Sequence, residues 1–148
     1  EAKKFIEKAI KIDPENAEYW YIFAELLSKL NSNKEAEIAF KKVVELDPSN
    51  VDAWIDYSNF LFDNSSKTKA IKEVERAITK NTNDTDLQLR LVAMQISAGK
   101  IVDAKNGLVE LQSAQKISCE KLLDIYPEAK NIPEIINVIN LYKNNNTI

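Results

Sequence analysis

The sequence contains no histidine, and this absence removes much of the common catalytic and metal-binding chemistry. Without an imidazole there is neither the usual general base nor the commonest nitrogen ligand for metals. The only two glycines, Gly99 and Gly107, are too far apart to form a glycine-rich phosphate loop. Acidic pairs such as Glu73 with Glu75 are expected on solvated helix faces. We therefore predict no enzyme activity, no cofactor and no metal site.

A single cysteine, Cys119, excludes an internal disulfide, which fits a reducing compartment. Because the chain has no histidine to activate it, we expect this cysteine to be a half-buried packing residue. No apolar run approaches the roughly 18 residues that would span a membrane. We expect a cytoplasmic protein without membrane insertion. Since the sequence starts at Glu1, inside a helical pattern and without Met, we also expect a fragment of a longer protein.

The residues that are present favour a helical protein. Alanine, leucine, isoleucine, lysine and glutamate abound, whereas four prolines and two glycines supply few of the turn residues that a β-sandwich needs. A compact domain of 148 residues would bury roughly 70% of its unfolded surface. The 20 basic and 23 acidic residues give a net charge of −3, so the sequence predicts neither nucleic-acid nor anionic-membrane binding.

The sequence repeats itself every 34 residues. Self-similarity of this length is typical of stacked helical repeats. Six sets of positions share the period: Ala2, Ala36, Ala70 and Ala104; Ile6, Phe40, Val74 and Leu108; Pro14 and Pro48; Asn16, Asn50 and Asp84; Trp20 and Trp54; Asn31, Ser65 and Gly99.

Each repeat predicts a pair of helices. The Asn16 set supplies N-caps that accept backbone N–H bonds. The Asn31 set tolerates the left-handed conformation that ends a helix, least well at Ser65. Pro48 cannot continue a helix and ends the second one. The small residues of the Ala36 set let neighbouring helices approach, and the large residue four positions later fills the gap between them.

The same signals predict the helix boundaries. Helices are expected at 1–12, 16–30, 33–46, 50–63, 67–80, 84–98, 101–114, 118–125 and 133–143. Pro127 and Pro133 bracket a segment that we expect to form a turn.

The C-terminal helix carries a wide apolar stripe. Its members are Ile132, Ile135, Ile136, Ile139 and Tyr142, with Val138 and Leu141 beside them. A repeat array needs a terminal cap over its last exposed face, and this segment is expected to provide one. The width of the stripe also allows a second interpretation, in which residues 132–142 form the contact of a weak homodimer.

These residues resemble the tetratricopeptide repeat (TPR) family. The family's pattern of aromatic, small and large apolar positions occurs in the first repeat as Trp20, Ala24, Leu27, Ala36, Phe40, Val43 and Pro48. It recurs in the second as Trp54, Ser58, Leu61, Ala70, Val74 and Ala77, with Thr82 in place of proline. The third repeat is more degenerate: Gln88, Val92, Gln95, Ala104, Leu108 and Leu111, with Lys116 in place of proline.

The resemblance implies an all-α, right-handed solenoid of antiparallel helix pairs. Residues 1–14 match the second helix of a truncated upstream repeat, and residues 15–116 hold three repeats at about 16–49, 50–83 and 84–116. Residues 117–148 would be capping helices. The chain also resembles the C-terminal part of a longer bacterial multi-repeat protein.

In TPR proteins the first helix of each repeat lines a concave partner-binding groove, and the resemblance implies the positions that would do so here. The residues expected to bind a partner are Glu18, Tyr21, Glu25, Asp52, Ile55, Asn59, Phe62, Asp63, Leu89 and Ile96. Tyr21, Ile55 and Leu89 occupy one column, and Phe62 and Ile96 another, so an apolar strip is expected to cross the repeats with an acidic rim beside it.

An apolar strip with an acidic rim suits a basic or amphipathic partner segment. We therefore expect a non-catalytic protein–protein interaction scaffold. The alternative is a structural or self-associating end of a longer array, in which neighbouring helices or the C-terminal cap cover the strip.

Some TPR proteins hold the C-terminal carboxylate of a peptide with a clamp of lysine, asparagine and arginine. The corresponding positions here are Tyr21, Glu25, Asp56, Asp86 and Arg90. Only Arg90 fits that clamp, and the carboxylates would repel an anionic ligand. We do not expect this activity.

Overall fold

The computed structural model of the chain describes residues 1–82, 84–114 and 121–145, with side chains up to residue 141. Throughout this part the secondary structure is helical. Cys119 and Lys116 lie outside the described residues, and so does the Tyr142 side chain.

The helices begin and end within one or two residues of the predicted boundaries wherever those lie in described residues. They are α1 (Ala2–Ile12), α2 (Ala17–Lys29), α3 (Asn33–Leu46), α4 (Val51–Asn64), α5 (Lys67–Lys80), α6 (Thr85–Ser97), α7 (Ile101–Ser113), α8 (Lys121–Ile125) and α9 (Pro133–Asn145). The predicted turn between the two prolines is a short 3₁₀ helix, Pro127–Asn131.

The chain divides into two compact units, Glu1–Asn81 and Thr82–Ile148, which we call unit 1 and unit 2. In unit 1, α2 packs against α3 and α4 against α5, and further contacts join α1 to α2 and α3 to α4. In unit 2, α6 packs against α7, α8 lies on α6, and α9 lies on α7. The predicted all-α fold of antiparallel helix pairs is confirmed.

The predicted N-caps form at the starts of α2, α4 and α6. The Asn16 side chain accepts hydrogen bonds from two backbone N–H groups at 3.1 and 3.3 Å. Asn50 accepts one from Ala53 at 3.0 Å, and Asp84 accepts one at 2.8 Å. Each bond satisfies a backbone donor that the helix itself leaves unpaired.

The predicted helix ends also form where the residue permits them. Asn31 and Gly99 have φ values of 56° and 76°, and both follow a helix in the left-handed conformation. The Ser32 N–H then donates to the Leu27 carbonyl at 2.9 Å, which closes a Schellman motif. Ser65, at the corresponding position, has φ of −133° and ends α4 differently, because a left-handed backbone is unfavourable for serine.

A recurrent side-chain hydrogen bond explains the tryptophan column. The indole N–H groups of Trp20 and Trp54 donate to the backbone carbonyl six residues upstream, at 2.7 and 3.0 Å. In the third repeat the amide of Gln88 makes the same bond at 3.1 Å. Glutamine therefore replaces tryptophan as a donor while it gives up the packing area of the ring. The bond ties each first helix to the loop that precedes it.

The core of unit 2 uses the C-terminal apolar stripe. Ile135, Val138 and Ile139 of α9 are at most 4% exposed and belong to one buried cluster with residues of α6 and α7. Since these side chains already face the core of their own unit, a homodimer contact through them would require α9 to leave it. Leu141, in contrast, is 63% exposed.

This arrangement predicts that Ile139→Asp unfolds unit 2 rather than dissociating a dimer. An unpaired carboxylate in this core should lower the free energy of unfolding by about 3 kcal/mol or more. Urea denaturation of the full chain, followed by circular dichroism, measures the loss. Leu141→Asp on the same helix is the control and should change stability by less than about 0.5 kcal/mol. A folded Ile139→Asp chain of reduced molecular mass in light scattering would instead establish the dimer.

Candidate functional site

The candidate site is a groove in unit 1 that runs between α2 and α4. It consists of two adjoining cavities with volumes of about 540 and about 260 Å³. Both cavities are lined by Tyr21 from α2 and Asp56 from α4, which separate one from the other. We call this pair of cavities the acidic groove.

The larger cavity lies at the N-terminal ends of the two helices. Its lining residues are Asn16, Ala17, Glu18, Tyr21, Val43, Asp47, Asn50, Asp52, Ala53 and Asp56. Glu18 and Asp52 stand in the first turns of α2 and α4, at corresponding repeat positions. Four carboxylates and no lysine or arginine line this cavity.

The smaller cavity lies toward the C-terminal ends of the same helices and has a more mixed character. Its lining residues are Tyr21, Glu25, Ser28, Lys29, Phe40, Asp56, Phe60, Asp63 and Asn64. The rings of Phe40 and Phe60 lie 5.1 Å apart and are only 5% and 7% exposed, so they form an apolar floor. Lys29 adds one positive charge at the rim.

The residues that divide the groove are joined by a hydrogen bond. The Tyr21 hydroxyl donates to the Asp56 carboxylate at 2.7 Å, and the Tyr21 ring meets the edge of Phe40 with their centroids 6.3 Å apart. A charge-assisted bond of this length is stronger than one between neutral groups. It connects the first helices of two successive repeats and orients both side chains at the centre of the groove.

The structure brings together five of the ten residues that the sequence predicted for the site. Glu18, Tyr21, Glu25, Asp52 and Asp63 line the acidic groove.

Three further predicted residues, on α4, line neither cavity. Ile55, Asn59 and Phe62 are half-buried, and the Lys67 ammonium lies over the Phe62 ring at 5.2 Å from its centroid.

The remaining two predicted residues are buried, whereas the sequence predicted them to be open to a partner. Leu89 and Ile96 are 0% and 5% exposed and belong to the core of unit 2. α8 packs on α6, and Leu122 of α8 belongs to the same buried cluster as these two residues. The predicted apolar strip is therefore not open at the third repeat, as the alternative of a covering C-terminal segment allowed.

Two of the six carboxylates that line the groove, Asp47 and Asp56, were not predicted as partner-binding residues. From the sequence, Asp56 is named only as a position that argues against a carboxylate clamp, although it lies four residues after Asp52 and hence on the same side of α4. Asp47 immediately precedes Pro48 at the end of α3, where its sequence context indicates a helix stop rather than a groove. Only the packing of α3 between α2 and α4 brings it to the larger cavity.

The described residues contain neither a membrane-spanning helix nor a metal-binding cluster. No helix in this part of the chain is long and apolar enough to cross a membrane. Within the same residues, no group of three or more acidic or cysteine side chains is placed to hold a metal ion.

The bond between Tyr21 and Asp56 predicts an altered titration. This hydrogen bond, followed by burial, raises the pKa of Tyr21 from 10.0 to about 12, because both favour the neutral phenol. The resulting stabilisation is fully present below pH 10.0 and is lost as the pH rises through about 12. In Asp56→Asn the pKa of Tyr21 should fall toward 10.0. Site-resolved ¹³C NMR of the tyrosine rings measures it, and an unchanged pKa in the variant would contradict the assignment.

Comparisons with known proteins agree with this fold. A family model described as the PRP39 N-terminal HAT repeat matches residues 1–93. Among curated proteins no sequence matches the chain. A solved structure of MamA shares 22% identity, with a TM-score of 0.61 over 97% of this chain and 85% of that one. The structure of YrrB, described as a TPR protein with an unusual peptide-binding site, shares 18% identity, with a TM-score of 0.59 over 95% and 74%.

A third structure, Naa15/Naa10 bound to HypK-THB, matches with 16% identity and a TM-score of 0.63. The match includes 99% of the present chain but only 23% of the matched Naa15/Naa10 chain. Repeat proteins of this type mediate protein–protein interactions, and the class is generally non-catalytic. Because the family model covers more than half of the residues, the chain belongs to the PRP39 N-terminal HAT repeat family, among the TPR/HAT-like helical repeat proteins.

Proposed function

We propose that this chain is a non-catalytic protein-interaction module that binds a basic, amphipathic peptide or helix in the acidic groove of unit 1. The observation that carries the proposal is the composition of that groove. Four carboxylates line the larger cavity and three line the smaller one, and Asp56 is common to both. The lining residues therefore carry six carboxylates and a single ammonium group, that of Lys29.

The charge of the groove favours a cationic partner for a simple electrostatic reason. Carboxylates that converge on a concave surface between low-dielectric walls raise the local concentration of positive charge and speed its association. The same field acts against acidic segments, which gives specificity as well as rate.

The apolar part of the groove supplies the binding energy that exposed charges do not. Exposed ion pairs contribute on the order of 0–1 kcal/mol each, whereas burial of an aromatic anchor contributes more. Tyr21 is half-buried at the centre of the groove, beside the floor of Phe40 and Phe60. An amphipathic segment would place an apolar side chain here and its basic residues along the rim.

The fold itself is compatible with such a site, since the similar YrrB structure is described as containing a peptide-binding site. The alternative function is a structural or self-associating end of a longer array. It draws on the C-terminal helices of unit 2, where α9 is packed into the core. That burial supports a structural role for unit 2 by itself.

The test uses two synthetic helical peptides with the same leucine pattern, one with lysine and one with glutamate at its polar positions. We expect the full chain to bind the lysine peptide and not the glutamate peptide. Tyr21→Ala should weaken binding of the lysine peptide about tenfold or more, because it removes the central aromatic contact. Fluorescence anisotropy measures the dissociation constants.

Tyr19→Ala is the matched control, since Tyr19 lies on the same helix and lines neither cavity. It should leave the affinity unchanged, and circular dichroism should show equal helicity for both variants. Equal affinity of the chain for the two peptides, or full binding by Tyr21→Ala, would refute the proposal.

A further inference from the structure

Unit 2 contains a segment that already covers the face expected to bind a partner. Leu89, Ala93 and Ile96 lie on one side of α6, and each of them is at most 6% exposed. α8 packs against this helix. Leu122 of α8 is fully buried in the same cluster, and Leu123 packs on it from a partly buried position. A short helix of the same chain therefore packs on the first helix of the third repeat.

The charge at one end of this contact is complementary as well. The Lys121 ammonium, immediately before Leu122, lies 3.7 Å from the Asp86 carboxylate in the first turn of α6. The packed segment thus has a basic residue near the acidic start of the repeat helix, and its leucines belong to or pack against the same buried cluster as Leu89 and Ile96. Its sequence across α8 is Lys-Leu-Leu-Asp-Ile.

The 34-residue period transfers this arrangement to unit 1 position by position. Asp86 corresponds to Asp52 in the second repeat and to Glu18 in the first. Leu89 corresponds to Ile55 in the second repeat and to Tyr21 in the first, and Ile96 to Phe62 and Ser28. Three of these positions, Glu18, Tyr21 and Asp52, line the larger cavity of the acidic groove.

We infer that the groove of unit 1 takes a short helix with the chemistry of α8, a basic residue followed by two adjacent large aliphatic residues. This inference rests on the proposed function and names the partner segment for the same site. The basic residue lies at the Glu18 and Asp52 end of the groove. The aliphatic residues lie on Tyr21 inside the groove and on Ile55, which lines neither cavity and directly precedes Asp56 on α4.

Two features of unit 1 fit such an occupant. Glu18 and Asp52 are both exposed, so they are available for a cation, as Asp86 is for Lys121. Tyr21 and Ile55 are only half-buried, whereas their counterpart Leu89 is fully buried under α8. The open repeats therefore expose the same type of surface that the third repeat covers with a basic and aliphatic helix.

The probe for this inference is a blocked synthetic peptide with the sequence of residues 120–126, Glu-Lys-Leu-Leu-Asp-Ile-Tyr, flanked by alanines that favour a helix. The peptide is titrated into the ¹⁵N-labelled full chain, and chemical shifts are followed by NMR. We expect the largest shifts on α2 and α4, including Tyr21, Asp52 and Ile55. Replacing the peptide lysine by glutamate should weaken binding about tenfold, and replacing its first leucine by alanine should do so by a similar factor.

The matching change on the protein is Glu18→Gln with Asp52→Asn, which should weaken the parent peptide about 3- to 10-fold and remove its preference for lysine over glutamate. Glu75→Gln with Glu110→Gln removes the same charge from exposed positions on α5 and α7 and should leave the affinity unchanged.

Shifts confined to α6 and α8 would mean that the peptide only replaces its own counterpart, and this result would overturn the inference. Equal binding of the lysine and glutamate forms, or an absence of shifts at millimolar peptide, would do the same. The proposed function is tested separately by the lysine-rich peptide. If that peptide binds in a Tyr21-dependent manner while the α8 peptide does not, the inference fails and the proposed function stands.

Discussion

The close contact between the two helices of each repeat is the constraint on which the rest of the structure depends. Ala36, Ala70 and Ala104 are all 0% exposed, and each lies on the second helix of its pair. A methyl group at this position lets two helices approach to the short interaxial distance that interlocking side chains require. Four residues later a large side chain, such as Phe40, fills the space that opens beside the contact.

This contact determines which face of each first helix remains available. One side of α2, α4 and α6 packs against the second helix of the same repeat. The remaining surface of each of these helices is therefore available for other contacts. In unit 1 the exposed parts of α2 and α4 line the acidic groove together with Val43 and Asp47 of α3, and in unit 2 α8 packs on α6. The two units thus show one type of surface in an open and in an occupied form.

The helices could be predicted from the sequence because their ends are determined by local interactions. Asn16 makes its cap bond within three residues, and Asn31 adopts the left-handed conformation that its side chain tolerates. The period itself follows from identical residues at equal spacing. Acidic residues at the groove, such as Glu18 and Asp52, could be predicted for the same reason, since each repeats a position that faces away from the paired helix.

What could not be predicted depends on contacts between distant segments. Leu89 and Ile96 are buried in a unit in which α8 packs back on α6. The 34-residue period does not predict that contact, because α8 lies outside the repeats. Asp47 reaches the larger cavity only because α3 packs between α2 and α4. The hydrogen bond from Tyr21 to Asp56 likewise joins residues 35 positions apart, so neither residue alone indicates it.

We expect the groove of unit 1 to bind a segment in the way that α6 binds α8. A crystal structure of the full chain with the α8 peptide tests this claim most directly. We expect a helical peptide between α2 and α4, with its lysine beside Glu18 or Asp52 and its leucines on Tyr21 and the neighbouring Ile55. A peptide that lies on another surface, or that occupies this groove with its lysine turned away from both carboxylates, would contradict it.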